Sequence, residues 1–118
     1  MLILIAGPYR SGTNDDPELM KKNLNRLESM ALPLFRLGHI PMIGEWVALP
    51  LLHLAGSKKP GDEAYEEILY PVAKRLLTKC DAVLRLEGES IGADEDVRIA
   101  KERDLKIYYR LEDVPHAE

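Results

Sequence analysis

The residues of this chain able to do chemistry collect in two short stretches, each lying where an apolar run stops and a helical pattern begins. The first is Gly7-Pro8-Tyr9-Arg10-Ser11-Gly12-Thr13-Asn14, which sets a phenol, a guanidinium and hydroxyls among small residues. The second lies within Asp81–Ala100, reading DAVLRLEGESIGADEDVRIA, where Gly88, Ser90, Gly92 and Ala93 leave little bulk at the end of an apolar strand. A ligand can approach the backbone at such a junction, and the helix that follows directs its first N–H groups into the same gap. Asp94, Glu95 and Asp96 fall in or near the first turn of that helix, where carboxylates complement the helix dipole for about 0.3–1 kcal/mol each. Residue types and spacing alone leave two readings of these acids, a dipole complement or part of a site.

The elements around these stretches follow from periodicity. Leu2–Ala6 is apolar without alternation, as a central parallel strand covered on both faces must be. Asp16-Pro17 is a strong helix start, and Met20, Leu24, Leu27, Ala31 and Leu34 recur on one face after it. Pro33 should kink that helix and Gly38 end it, with a second strand over His39–Ile43. Gly44-Glu45-Trp46 follows this strand, so it too belongs at the ligand end of the sheet; Trp46 is either core or a platform on which a base stacks. Val47–Ala55 is apolar on nearly all sides except at His53, a pattern that calls for a partner subunit as cover. Gly56–Asp62 reads as a surface loop and Asp62 as the cap of a third helix, with Tyr65, Leu69, Val72 and Leu76 as its buried stripe and a second kink at Pro71. Cys80, with no activating neighbour in sequence, is a small buried residue. After the second chemical stretch, Ala93, Val97 and Ala100 face inward, and Leu105–Arg110 forms a last strand. Strands separated by helices require parallel crossovers. The expected fold is a small doubly wound, flavodoxin-like parallel α/β sheet of four to five strands with helices on both faces.

Composition narrows what such a domain can do. The 118 residues, 46% hydrophobic, suffice for one domain over 1–118 and not for two. A formal net charge of −4, with no basic run longer than a pair such as Lys58-Lys59, argues against a protein that tracks a nucleic-acid polymer and favours a small-molecule ligand. A single cysteine allows no internal disulfide, and no Cys/His grouping has metal-ligand spacing, so neither metal nor cofactor is expected. The first loop also lacks GxGxxG and the P-loop lysine. The apolar start is too short for a signal segment or a membrane span, which makes a cytoplasmic location the expectation and a membrane role not.

The combination of IAGPYRSG after the first strand, CDAVLRLEG as a later strand and SIGADEDVRIA entering the next helix resembles the nucleoside 2-deoxyribosyltransferase superfamily, including its 2'-deoxynucleoside 5'-phosphate N-hydrolase branch and small uncharacterised members. The resemblance spans nearly the whole chain. It implies a cytoplasmic homodimer or higher homo-oligomer, with a subunit-completed site, that breaks or exchanges the N-glycosidic bond of a small nucleoside or nucleotide through a carboxylate nucleophile. Laid on the family's S-x-G-x-x-x-E pattern, the serine is Ser90, the glycine Gly92 and the nucleophile's position Asp96. Arg10 matches the arginine that, with the serine, holds a 5'-phosphate in the nucleotide-hydrolysing branch, and Tyr9 stands where it can bond the carboxylate or the sugar. Gly7 and Ser11 complete the first-loop side, and Trp46 would stack on the base. The helix N-terminus is expected to keep the carboxylate ionised. Three departures accompany the match: Asp96 is one methylene shorter than the family's glutamate, Pro8-Tyr9 replaces a loop serine, and the second carboxylate of the preceding helix is missing near Val72–Ala73, so that Glu66 or Glu67 would have to reach from lower on that helix. A chain of the same fold that has lost the chemistry and only binds or senses nucleotides is the alternative reading.

Overall fold

A computed structural model describes residues 1–117. Four strands, β1 (Leu2–Ala6), β2 (Ile40–Ile43), β3 (Ala82–Arg85) and β4 (Lys106–Tyr108), form one all-parallel sheet in the order β2-β1-β3-β4. Five helices connect them: α1 (Pro17–Glu28), α2 (Ala31–Arg36), α3 (Gly44–Leu54), α4 (Glu63–Leu77) and α5 (Ile91–Glu102). Alternate residues of β1 feed two separate cores. Ile3 and Ile5 pack with Leu27 of α1, Leu34 of α2 and Ile43, whereas Leu4 and Ala6 pack with Leu77 of α4 and Ala93 and Ala100 of α5. Both faces of the strand are therefore dry, which is why it reads as an unbroken apolar run, and each fully buried Ile or Leu contributes on the order of 1.5–3 kcal/mol. Among the described residues no helix is long and apolar enough to cross a membrane.

The topology fixes where a ligand can sit. The connection leaving β1 runs to α1 on one face and the one leaving β3 runs to α5 on the other, so the two loops diverge between neighbouring strands. A crevice opens at that switch point, outside the carboxyl ends of the strands.

Local sequence accounts for most element ends. Asp16 accepts from the Glu18 N–H ahead of Pro17, and Asp62 accepts from the Tyr65 N–H to start α4. Ser90 caps α5, its Oγ accepting from the Ala93 N–H at 3.1 Å. Pro33 does not kink one helix but divides it in two: α1 stops at Glu28, and Pro33 sits in the first turn of α2. The pyrrolidine ring would meet the carbonyl four residues back, at Ser29, so the break lies upstream of the proline. Pro71, where a second kink is expected, lies inside α4, which continues past it to Leu77. Gly44-Glu45-Trp46 is not a loop, because α3 starts at Gly44 directly from the β2 end with no side-chain cap.

Two glycines at the switch point separate conformational from steric demand. Gly88 has φ +121°, and a Cβ there would stand 2.6 Å from Cγ of Pro8 in the opposite loop; Gly12 has φ +75° with open space around it. Gly88→Ala should cost about 2 kcal/mol or more in urea unfolding, because strain and clash add, and Gly12→Ala about 1 kcal/mol from strain alone. Equal losses at the two sites would show that the loops are not held against each other.

Candidate functional site

A cavity of about 310 Å³ occupies the switch point, with Leu4, Ile5 and Ala6 of β1 as its floor. The first loop supplies Gly7, Tyr9, Arg10, Ser11 and Asp15; the start of α5 supplies Ser90, Gly92 and Asp96. The two stretches singled out in the sequence thus meet around one space, with the acid at position 96 facing into it.

The loop after β1 is built to hold its shape. The Thr13 hydroxyl donates to the Arg10 carbonyl at 2.5 Å and accepts from the Asp15 N–H, and Asn23 of α1 donates to the Tyr9 carbonyl at 2.8 Å. Gly7 is needed for packing, since a Cβ there would lie 2.9 Å from Leu27. Arg10 is already engaged: its Nε and Nη2 donate to the two carboxylate oxygens of Asp15 at 2.6 and 3.2 Å, and its guanidinium lies over the Tyr65 ring, 5.3 Å from the centroid.

Asp96 does not behave as a carboxylate at a helix N-terminus. It is the sixth residue of α5, past the free N–H groups of the first turn, so the dipole helps it little. Burial dominates instead and, with Glu45, then Glu95, adding like charge against weaker help from Arg85, pushes its pKa up to about 7. Asp94 and Glu95, its neighbours in sequence, point elsewhere; Asp94 pairs with Arg85 at 2.8 Å and Glu95 with Arg98. One residue along a helix turns a side chain by about 100°, which separates the three roles.

The second carboxylate is Glu45, which residue spacing did not single out. It sits in the first turn of α3, lines the cavity, and has its pKa raised chiefly by burial. The same carboxylate, after burial, raises the Tyr9 phenol above its ordinary value. Glu66 and Glu67 are exposed and outside the cavity, and on that face of α4 Ala73 lines it instead, leaving room where an acid was expected. Trp46 is a correction as well. One step beyond Glu45, its indole is 38% exposed, donates to Glu28 of α1 at 2.8 Å, and takes no part in the cavity wall. The aromatic surface comes from Tyr9, Tyr65 and Tyr70, the last two from α4. A four-residue rhythm from the Asp62 cap, Tyr65, Leu69, Ala73, was the available signal for that wall.

Outside the cavity, Cys80 is buried and its thiol is pushed up to about 11 by burial and then by Asp81 and Asp96, so it stays protonated. Among the described residues no group of three or more His, Cys, Asp or Glu side chains is placed to hold a metal ion.

The fold and the cavity together define a parallel α/β domain with a carboxylate-lined, tyrosine-walled cleft at its switch point. Comparison of the chain with protein-family models, with curated proteins and with solved structures gave no match to any of them.

The burial of Asp96 carries a stability signature. Its ordinary pKa is 3.8 and its folded one about 7, so between these values the native state retains a proton that the unfolded state has lost, and stability falls as pH rises through that window. Asp96→Asn removes the penalty. Its Tm should exceed that of the parent protein at pH 8, and the difference should fade as the pH is lowered towards 4; a pH-independent difference would mean that the carboxylate is solvated.

Proposed function

We propose that this protein cleaves or exchanges the N-glycosidic bond of a small nucleoside or nucleotide, with Asp96 as the nucleophile. The observation that carries the reading is that Asp96 and Glu45, from different helices, line one cavity with both pKa values raised. Two carboxyls on one cavity, one to attack and one to carry a proton, are what two-step displacement at an anomeric carbon requires. The resemblance of the IAGPYRSG and SIGADEDVRIA stretches to the nucleoside 2-deoxyribosyltransferase superfamily supports the same reaction class.

In the proposed reaction the Asp96 carboxylate attacks C1' as the C1'–N bond breaks, forming a glycosyl ester and releasing the base. The reaction proceeds from the state of the coupled pair in which Asp96 is ionised and Glu45 carries the proton, and Glu45 gives that proton to the departing base nitrogen. It then takes a proton from water, or from a second base, as that group attacks C1' and frees Asp96. Tyr9 is placed to bond the sugar or the nucleophile. Ser90 retains a hydroxyl proton to donate after capping α5.

Incubation with a panel of deoxynucleosides and their 5'-monophosphates should release free base, measured chromatographically. Asp96→Ala should abolish release, and Glu45→Gln should slow it by about 10²–10⁴. No free base from any member of the panel would rule the reading out.

The pH profile is a second check. The attacking state keeps one proton on the Asp96–Glu45 pair, so kcat/KM should fall as pH rises through about 7, where the pair loses it. Glu45→Gln removes both that acid and, above its pKa, a like charge, so the residual rate should instead rise as Asp96 ionises, at a pH below 7; a profile of unchanged shape would mean that the two carboxyls do not interact.

A further inference from the structure

We propose that this cavity selects an uncharged nucleoside over its 5'-phosphate, and that the buried Tyr65 hydroxyl is the group that reads the ligand. The inference rests on the nucleoside reading above and names which member of that class the site takes.

The first observation is an unmet hydrogen bond. Tyr65 is only 4% exposed and lines the cavity, yet its hydroxyl has no partner, although such a group, once buried, ordinarily finds one. Nothing in the packing obliges the chain to spend a tyrosine here, since phenylalanine would fill the same volume without an unsatisfied oxygen. A hydroxyl held this way is completed when a polar atom of a ligand enters the cavity. The ring cannot turn away freely, because the Arg10 guanidinium lies over it at 5.3 Å.

The second observation is the charge of the wall. Arg10 is its one basic residue, against Asp15, Glu45 and Asp96. That guanidinium is bound through Nε and Nη2 to both oxygens of Asp15. Behind it runs the loop at Gly61, so close that a Cβ there would stand 2.7 Å from Nη2. The Ser90 oxygen is likewise engaged with the Ala93 N–H, which leaves the α5 terminus capped by its own chain. A phosphate dianion entering this space would meet two other carboxyl groups and would have to displace Asp15 to gain an ion pair. A nucleoside meets no such barrier. Its hydroxyls and base can serve the Tyr65 oxygen directly, with Tyr9 and Tyr70 as flanking rings.

The test is calorimetric binding, with thermal unfolding alongside, of matched deoxynucleosides and 5'-monophosphates to the parent protein, to Tyr65→Phe and to Asp15→Asn. The parent protein should bind the nucleoside at least about tenfold more tightly than the monophosphate. Tyr65→Phe should lose about tenfold in nucleoside affinity, the worth of one buried hydrogen bond, while its ligand-free Tm does not fall. A tyrosine that merely packs would leave Kd unchanged. Asp15→Asn frees Arg10 and should narrow or reverse the preference. Monophosphate binding as tight as nucleoside binding in the parent protein, an unchanged Kd in Tyr65→Phe, or an unaltered preference in Asp15→Asn would each overturn the proposal. Absence of binding by either ligand class is a different result, which removes the nucleoside reading itself and the proposal with it.

Discussion

Two carboxylates kept partly out of water beside each other are the costly feature of this molecule. Neither Asp96 nor Glu45 is bonded to a basic side chain, and the shift of Asp96 to about 7 expresses an unfavourable environment that the rest of the fold must outweigh. Like charges can be held this way only by backbone that has no easier arrangement. Here the sheet provides it. Asp96 stands on a helix whose inner face, Ala93, Val97 and Ala100, is buried, so rotating the acid outward would expose that face. Glu45 is the second residue of a helix that begins directly after the last residue of β2, with no loop between to let it relax.

The loops on the other side of the crevice are stabilised by polar contacts rather than by burial. Asp62 accepts from the backbone N–H groups of Lys58, Lys59 and Tyr65 and from the Ser57 hydroxyl, which holds its carboxyl down at about 2. The clasp does two things at once: it starts α4, which carries Tyr65 into the cavity wall, and it fixes the turn at Gly61 that backs Arg10. Asn14 and Asp15 both adopt left-handed backbone, an uncommon conformation for residues with side chains, and the Asp15–Arg10 pair is made from that conformation. Strain at this turn and the ion pair therefore depend on each other.

How much of this was legible in the sequence depended on whether a signal was local. β1, the Asp16-Pro17 start, the Asp62 cap and the Ser90 junction could all be read, because apolar continuity and capping chemistry are properties of a few adjacent residues. The sheet class followed from strands alternating with helices, and the meeting of the Arg10 loop with the Ser90 turn followed from the class. Glu45 was not legible. α3 starts without a capping side chain, so nothing marked residue 44 as helical, and the turn of about 100° that sends Glu45 to the cavity and Trp46 towards α1 could not be placed. The protonation of Asp96 was misjudged for a related reason, since an error of one turn in its distance from the helix start exchanges dipole stabilisation for burial. Which acid opposes it depends on a contact between residues far apart in the chain, and no spacing encodes that.

The electrostatics of the site bear on the reaction proposed for it. A neutral ligand seated against Asp96 and Glu45 lowers the local dielectric and makes the ionised nucleophile less favourable still, so ground-state binding gains nothing from these acids. Positive charge developing at C1' and the ring oxygen as the base departs reverses the sign. An oxocarbenium-like centre is attracted by the carboxylates and, by drawing on them, makes their ionisation easier at the moment it is needed. Interactions that are unfavourable in the resting protein and favourable only with a cationic transition state are those that lower a barrier without tightening substrate binding. The same arithmetic explains why Arg10 is better paired with Asp15 than left free. An unpaired guanidinium in the wall would relax both acids towards ordinary values, and it would repel the charge that the proposed reaction has to generate.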